Sequence, residues 1–237
     1  MELERLSFGN NCYLSNEMKH SEQSMHNRSQ LLLDDEAMQA SARERVPGAG
    51  IQVDTPKTVL VVVDVQWDFF DPAGALYVGG SEALPEKIAE LADGYDAVIF
   101  TLDWHPANHC SFAAQGGIWP SHCVAYTQGA GLPNCFSEII RSGKAQLYLK
   151  GCEADKEQYG AFGSFEGYDT MKAWLKGAQS VDVCGIAGDY CVKESTANIL
   201  NVVSAEKVSI LCGCVRSIDG GAALDAFIAE KGLGRKE

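Results

Sequence analysis

The chain has 237 residues, of which 46% are hydrophobic and 22% charged, enough apolar material for a substantial core without disulfide staples. A formal net charge of -13 argues against attraction to phosphate backbones or anionic bilayers, so neither nucleic acid nor a membrane is expected as a partner. No apolar run approaches the roughly 20 residues that span a bilayer, Met1–Arg5 opens no signal peptide, and nine cysteines without a C-x-x-C pair read as reduced thiols, so a cytoplasmic location is expected.

Residues 1–55 are rich in Ser, Asn, Gln and Glu and read as a mobile extension, with one helix expected over 31–45 and His20 and His26 as solvated tail residues. A single domain is expected over 56–237. It begins with TVLVVVD from Thr58, a continuous β-branched run of the kind covered on both faces in a parallel sheet. In chain order there follow a helix in SEALPEKIAELAD, a strand in AVIFTLD and a strand in AQLYLK. Then come a helix in YDTMKAWLKGA, a strand over 181–186 running into a helix near Tyr190, a strand in KVSILCGC and a last helix in GAALDAFIAEKG. Strands alternating with helices predict an α/β fold: a three-layer sandwich built on a doubly wound, mostly parallel sheet with helices on both faces.

Three of these strands end in an ionisable residue, Asp64, Asp103 or Lys150, and a fourth leads through Ala187-Gly188-Asp189 to Cys191. In an open parallel sheet the carboxyl ends of the strands form the ligand crevice, so these groups are expected to converge. Cys191 falls in the first turn of a helix, where unpaired N–H groups favour thiolate and offer donors to an oxyanion. A low-pKa thiolate there should also be oxidised before the buried cysteines. Asp64 as base and Lys150 as a nearby ammonium complete a charge-coupled triad suited to amide hydrolysis through a thioester. No histidine follows Cys191, which disfavours a Cys/His dyad.

A second constellation lies in DWHPANHCSF, which starts at Asp103, and WPSHC, which starts at Trp119. Asp103, His105, His109 and His122 bring three imidazoles and a carboxylate into one loop region, a donor set for a divalent transition metal. The Asp-x-His spacing lets two ligands come from one extended segment, because alternate side chains share a face. A structural zinc using Cys110 or Cys123 is disfavoured by the absence of close cysteine pairs. Phe69, Trp119, Tyr159 and Phe162 flank these constellations and are candidate walls for a flat aromatic ligand.

VVVDVQWDFF, DWHPANHCSF, WPSHC, LYLKG and GIAGDYCVKES stand in the order and spacing of the nicotinamidase/pyrazinamidase family of isochorismatase-like cysteine hydrolases, which the chain resembles from about Thr58 to Asp219. The resemblance implies a triad of Asp64, Lys150 and Cys191, and a metal held by Asp103, His105 and His122, with His109 a fourth ligand in some members. The metal is one divalent ion, zinc by first choice and otherwise iron or manganese. It further implies a cis Ile186–Ala187 bond that aims the Ala187 and Cys191 N–H groups at the oxyanion. Phe69 and Trp119 match the residues that sandwich the ring. The implied reaction converts nicotinamide to nicotinate and ammonia, in NAD salvage. Members often form homo-oligomers, although nothing in this sequence marks an interface.

Departures from the family pattern are Trp67 where asparagine is common, Gly188 where threonine or serine is usual, and an idiosyncratic stretch over 152–158. Gly188 is expected to loosen the oxyanion loop, and Trp67 to alter hydrogen bonding around the metal site. Two other readings stand beside the leading one. The first is a related amidohydrolase acting on a carbamoyl or ureido compound, which the histidine-bearing loop argues against. The second is a catalytically silent metal-binding protein on this scaffold, which the intact triad argues against.

Overall fold

A computed structural model of the protein describes residues 55–237; the extension, with its expected helix over 31–45, lies outside the described residues. The elements are β1 (Thr58–Val63), α1 (Trp67–Phe70), α2 (Leu84–Ala92), β2 (Ala97–Asp103), α3 (Ser137–Arg141), β3 (Ala145–Lys150) and α4 (Asp169–Gly177). They continue with β4 (Ser180–Ile186), α5 (Lys193–Ile199), β5 (Val208–Arg216), α6 (Ala222–Lys231) and β6 (Gly234–Lys236).

The sheet has six strands in the order β3-β2-β1-β4-β5-β6, and every pairing is parallel. Period-two alternation along β1 divides the core in two. Val59, Val61 and Val63 face α4, α5 and α6 through Leu175, Ile199 and Ile228, whereas Leu60 and Val62 face α2 and α3 through Leu84, Ile88 and Ile139. Helices therefore cover both faces, and the central strands carry the unbroken apolar runs that such burial demands. Each such side chain contributes about 1.5–3 kcal/mol on burial, which makes room in the stability balance for buried charge at the strand ends.

From β1 the chain winds outward through β2 and β3, then returns to place β4 on the other side of β1. The switch point thus lies between β1 and β4, where diverging connections open a crevice at the carboxyl ends. Register brings the groups named above to one level: Val63 lies opposite Thr101 and Gly185, and Asp103 opposite Lys150.

Beside the short helices α1 and α3, which the sequence pattern does not anticipate, two details depart from the expected elements. β6 is a three-residue exposed strand, Gly-Arg-Lys, whose composition carries no strand signal. The turn after β4 is π-helical over Gly188–Val192 before regular helix begins at Lys193, with Val192 N–H bonding Ala187 O at 3.0 Å. Cys191 therefore sits in a widened turn, not in the first turn of a regular α-helix.

Candidate active site

Asp64 follows β1 directly, with a positive φ of 49° that turns the chain out of the strand. Its N–H bonds Thr101 O at 3.1 Å, and Thr101 Oγ1 donates to Asp64 Oδ1 at 2.6 Å. Lys150 Nζ, at the end of β3, stands 2.8 Å from Asp64 Oδ2, 2.5 Å from Asp103 Oδ1 and 3.4 Å from Cys191 Sγ. All four side chains are buried. Asp64 Oδ2 lies against the ammonium and makes no hydrogen bond to any other group, so it is paired in charge without a competing donor. The structure thus brings Asp64, Lys150 and Cys191 together, as the strand-end argument anticipates.

The charges set each other's protonation. Burial opposes the charge on Lys150, but Asp103 and Asp64 outweigh it and hold the ammonium well above its ordinary pKa. Burial likewise opposes ionisation of Asp103, but Lys150 and His105 overcome it and hold this carboxyl below the usual range. At Asp64 burial prevails over Lys150, with Asp103 adding repulsion, and the pKa is raised. Burial also raises the Cys191 thiol well above its ordinary value, against Lys150 and with Asp64. This corrects the expectation of a low-pKa, preferentially oxidised thiolate: in the closed site desolvation exceeds the stabilisation that position alone suggests. Cys191 keeps its proton until a base takes it.

Asp103, His105 and His122 offer donor atoms that all lie within 4.8 Å of one another. His105 Nδ1–H donates to Gly151 O at 2.9 Å and His122 Nδ1–H to Pro120 O at 2.7 Å, since a carbonyl only accepts. Both Nε2 atoms then face Asp103, at 3.6 and 3.9 Å. Imidazoles pinned through Nδ1 with Nε2 turned to a shared point are the arrangement of metal ligands, and these residues fit a divalent cation. Charge agrees with this, because two carboxylates against one lysine leave a buried negative excess. Burial works against a positive charge at His105, but the bond and charge of Asp103 prevail, so the position between them attracts a proton or a cation. His109 is not in this group: Nδ1 bonds Ser111 Oγ at 2.7 Å and Nε2 bonds Lys156 O at 3.1 Å.

Cys191 and the three metal-ligand candidates open into one cleft, while Asp64 and Lys150 lie behind its lining. Phe69, Trp119 and Tyr159 line it, with Trp119 Nε1–H donating to Tyr159 Oη at 3.1 Å. Phe162 does not line it: its ring is buried in the core 5.0 Å from Tyr148, correcting its assignment as a cleft wall. Tyr190 takes a wall position that sequence reasoning missed, its ring perpendicular to Trp119 at 5.2 Å. Adjacency to Cys191 in the π-helical turn was the available signal. The Ile186–Ala187 bond is cis, and Ala187 and Cys191 line the same cleft.

Supporting contacts account for both departures near the site. Gln66 Nε2 donates to Asp103 O and Ala130 O, and Gln66 Oε1 accepts from Asp103 N–H, each at 2.8 Å. The residue that secures Asp103 is thus Gln66, while the neighbouring Trp67 packs at a tilt against Phe70, with ring centroids 4.9 Å apart. At Gly188 a Cβ would fall 2.1 Å from Ser217 Oγ and 2.9 Å from Val215 Cγ1. Ser217 fills the space that a side chain would occupy, and Asp189 secures the same loop by accepting from the N–H groups of Ile218 and Asp219 at 3.0 and 3.1 Å. The turn is therefore braced from outside, contrary to the expected loosening.

A carboxylate, an ammonium and a thiol at the carboxyl ends of a parallel sheet, beside a three-donor cluster, define the class: a cysteine hydrolase on a doubly wound sheet with a candidate metal site. No family model matches the chain. Among curated proteins it is 34% identical to the nicotinamidase of Acinetobacter baylyi over 154 residues, covering 56% of this chain and 70% of the relative. Among solved structures it is similar to PnC1 of L. infantum in complex with nicotinate, with a TM-score of 0.66 and 32% identity, covering 79% of this chain and 96% of that one. The pyrazinamidase of Pyrococcus horikoshii in complex with zinc has a TM-score of 0.61 and 32% identity, covering 77% and 99%. The chain belongs to the nicotinamidase/pyrazinamidase family of amidohydrolases.

Proposed function

We propose that the protein is a metal-dependent nicotinamidase that hydrolyses nicotinamide to nicotinate and ammonia, with Asp64, Lys150 and Cys191 as its catalytic residues. The observation that carries the reading is the buried Asp64 carboxylate, an oxygen of which lies within 4.8 Å of the Cys191 thiol that lines the aromatic cleft. Asp103, His105 and His122 would hold the cation, zinc by preference because two imidazoles and a carboxylate suit it, and it would supply a Lewis-acid anchor for the pyridine nitrogen. The ring slides between Phe69 and Trp119, which exclude water from its faces.

Asp64 takes the Sγ proton as Cys191 attacks the amide carbonyl, and Lys150 steadies the developing thiolate. The oxyanion forms beside the Ala187 and Cys191 N–H groups. Asp64 then returns its proton to the amide nitrogen, the C–N bond breaks, and ammonia leaves a thioester. Water, losing a proton to Asp64, attacks the thioester; nicotinate departs and the thiol is restored. One nicotinamide and one water give one nicotinate and one ammonium ion, the ammonia taking up the proton that the acid sheds. A raised Asp64 pKa serves both halves of this cycle, since the group must hold a proton between two transfers. Ammonia release from nicotinamide by the zinc-loaded protein, with and without chelator, tests the reading; no release under metal-replete conditions overturns it.

A further inference from the structure

The segment from Gly151 to Tyr168 contains no helix or strand, and Glu153, Lys156 and Glu157 are exposed. Its stretch Glu157 to Tyr159 nevertheless forms one wall of the cleft, and a second open groove lined by Cys152, Lys156 and Tyr159 lies on its other side. A wall with solvent behind it is held by hydrogen bonds more than by packing. Two of those bonds run back to the loop that carries the metal-ligand candidates, and one is internal to the segment. Cys110 N–H donates to Ala154 O at 2.7 Å, and Gly151 N–H to Gln158 Oε1 at 3.2 Å, while Gly151 O holds His105.

His109 supplies a further tie, beside the bond from Trp119 Nε1–H to Tyr159 Oη. Lys156 O can only accept, so His109 Nε2 carries the proton of their 3.1 Å bond, and Nδ1 is left to accept from Ser111 Oγ–H at 2.7 Å and Ser111 N–H at 3.3 Å. Both ring nitrogens are committed, and no lone pair remains for a cation. The ring also rests on His105, with centroids 4.1 Å apart. We propose that His109 is a positioning residue, a strut fixing the cleft wall Glu157–Tyr159 to the metal loop, and not a metal ligand. The inference rests on the nicotinamidase reading of the cleft for its kinetic consequence only.

The test uses the full chain loaded with zinc, in the variants His109→Leu, His109→Gln and Gln158→Ala. Three quantities are read: bound zinc per chain, amide hydrogen exchange over 152–159 without substrate, and KM and kcat for nicotinamide. His109→Leu should keep stoichiometric zinc, exchange faster in that segment, and raise KM about five- to tenfold with a smaller effect on kcat. The Gln amide can donate to Lys156 O, so His109→Gln should recover most of both losses. Gln158→Ala cuts the bond to Gly151, whose carbonyl holds His105, and should speed exchange in the same segment, which keeps the test decisive if His109→Leu does not fold. Zinc loss in either His109 variant, or unchanged exchange in His109→Leu and Gln158→Ala, overturns the strut. Absence of nicotinamide hydrolysis in the wild type would sink the functional reading alone, because exchange and zinc content need no substrate.

Discussion

Replacing Asp64 by asparagine separates two roles that the geometry assigns to one carboxylate. The substitution conserves shape and can still accept from Thr101 Oγ1, so the fold should survive. Breaking a buried ion pair costs about 3–5 kcal/mol when the partner is left alone. Lys150 keeps Asp103 at 2.5 Å, so the expected loss is smaller, about 1–2 kcal/mol. Turnover should suffer far more: without a group to take the thiol proton and return it to the leaving nitrogen, kcat should fall by about 100- to 10,000-fold. The thiol should move the opposite way. Asp64 pushes the Cys191 pKa up while Lys150 pulls it down, so removing the carboxylate lowers that pKa. Alkylation of Cys191 by iodoacetamide, followed by peptide mapping across pH, should therefore reach its midpoint at lower pH in Asp64→Asn than in wild type. Ammonia release and alkylation are measured on the same preparation, with thermal unfolding as a check on folding. A folded variant that hydrolyses nicotinamide within tenfold of wild type, or an alkylation midpoint displaced upward, refutes the reasoning.

Removing the metal with chelator should abolish ammonia release and zinc should restore it, while an Asp103→Ala/His105→Ala double variant should purify without stoichiometric metal by elemental analysis. Trp119→Ala removes one face of the slot and the bond to Tyr159 Oη, and should raise KM for nicotinamide about tenfold in steady-state kinetics. Gly188→Ala should cost about 1–3 kcal/mol by denaturant unfolding, because its Cβ collides with Ser217 Oγ, and Ser217→Ala in that background should recover part of the loss. Phe162→Ala should lower stability by about 3–5 kcal/mol through the cavity it leaves, and KM should stay within threefold of wild type because the ring packs in the core.

The first five strands were legible because β1 and β2 are nearly continuous apolar runs and β3, β4 and β5 are apolar runs broken by single polar residues, and a doubly wound sheet is the usual way to cover such runs on both faces. The site was legible for a related reason. A charged residue closing a run as apolar as VLVVV stands where the crevice opens, so Asp64, Asp103 and Lys150 declared themselves through their position on strands. The short elements were not legible: β6 is three exposed residues, and α1 has only four, too few for a period to emerge.

What the sequence by itself determined is therefore which groups reach the carboxyl edge of the sheet. The tertiary structure alone decided what those groups do to one another, because protonation and packing depend on neighbours distant along the chain. Cys191 is held as a thiol by burial beside Asp64 and against the pull of Lys150, His109 is turned from any ligand role by a carbonyl 47 residues away, and Ser217 fills the space left at Gly188. Periodicity reports the face on which a side chain lies, whereas desolvation, tautomer and fit follow from distances that only the folded chain sets.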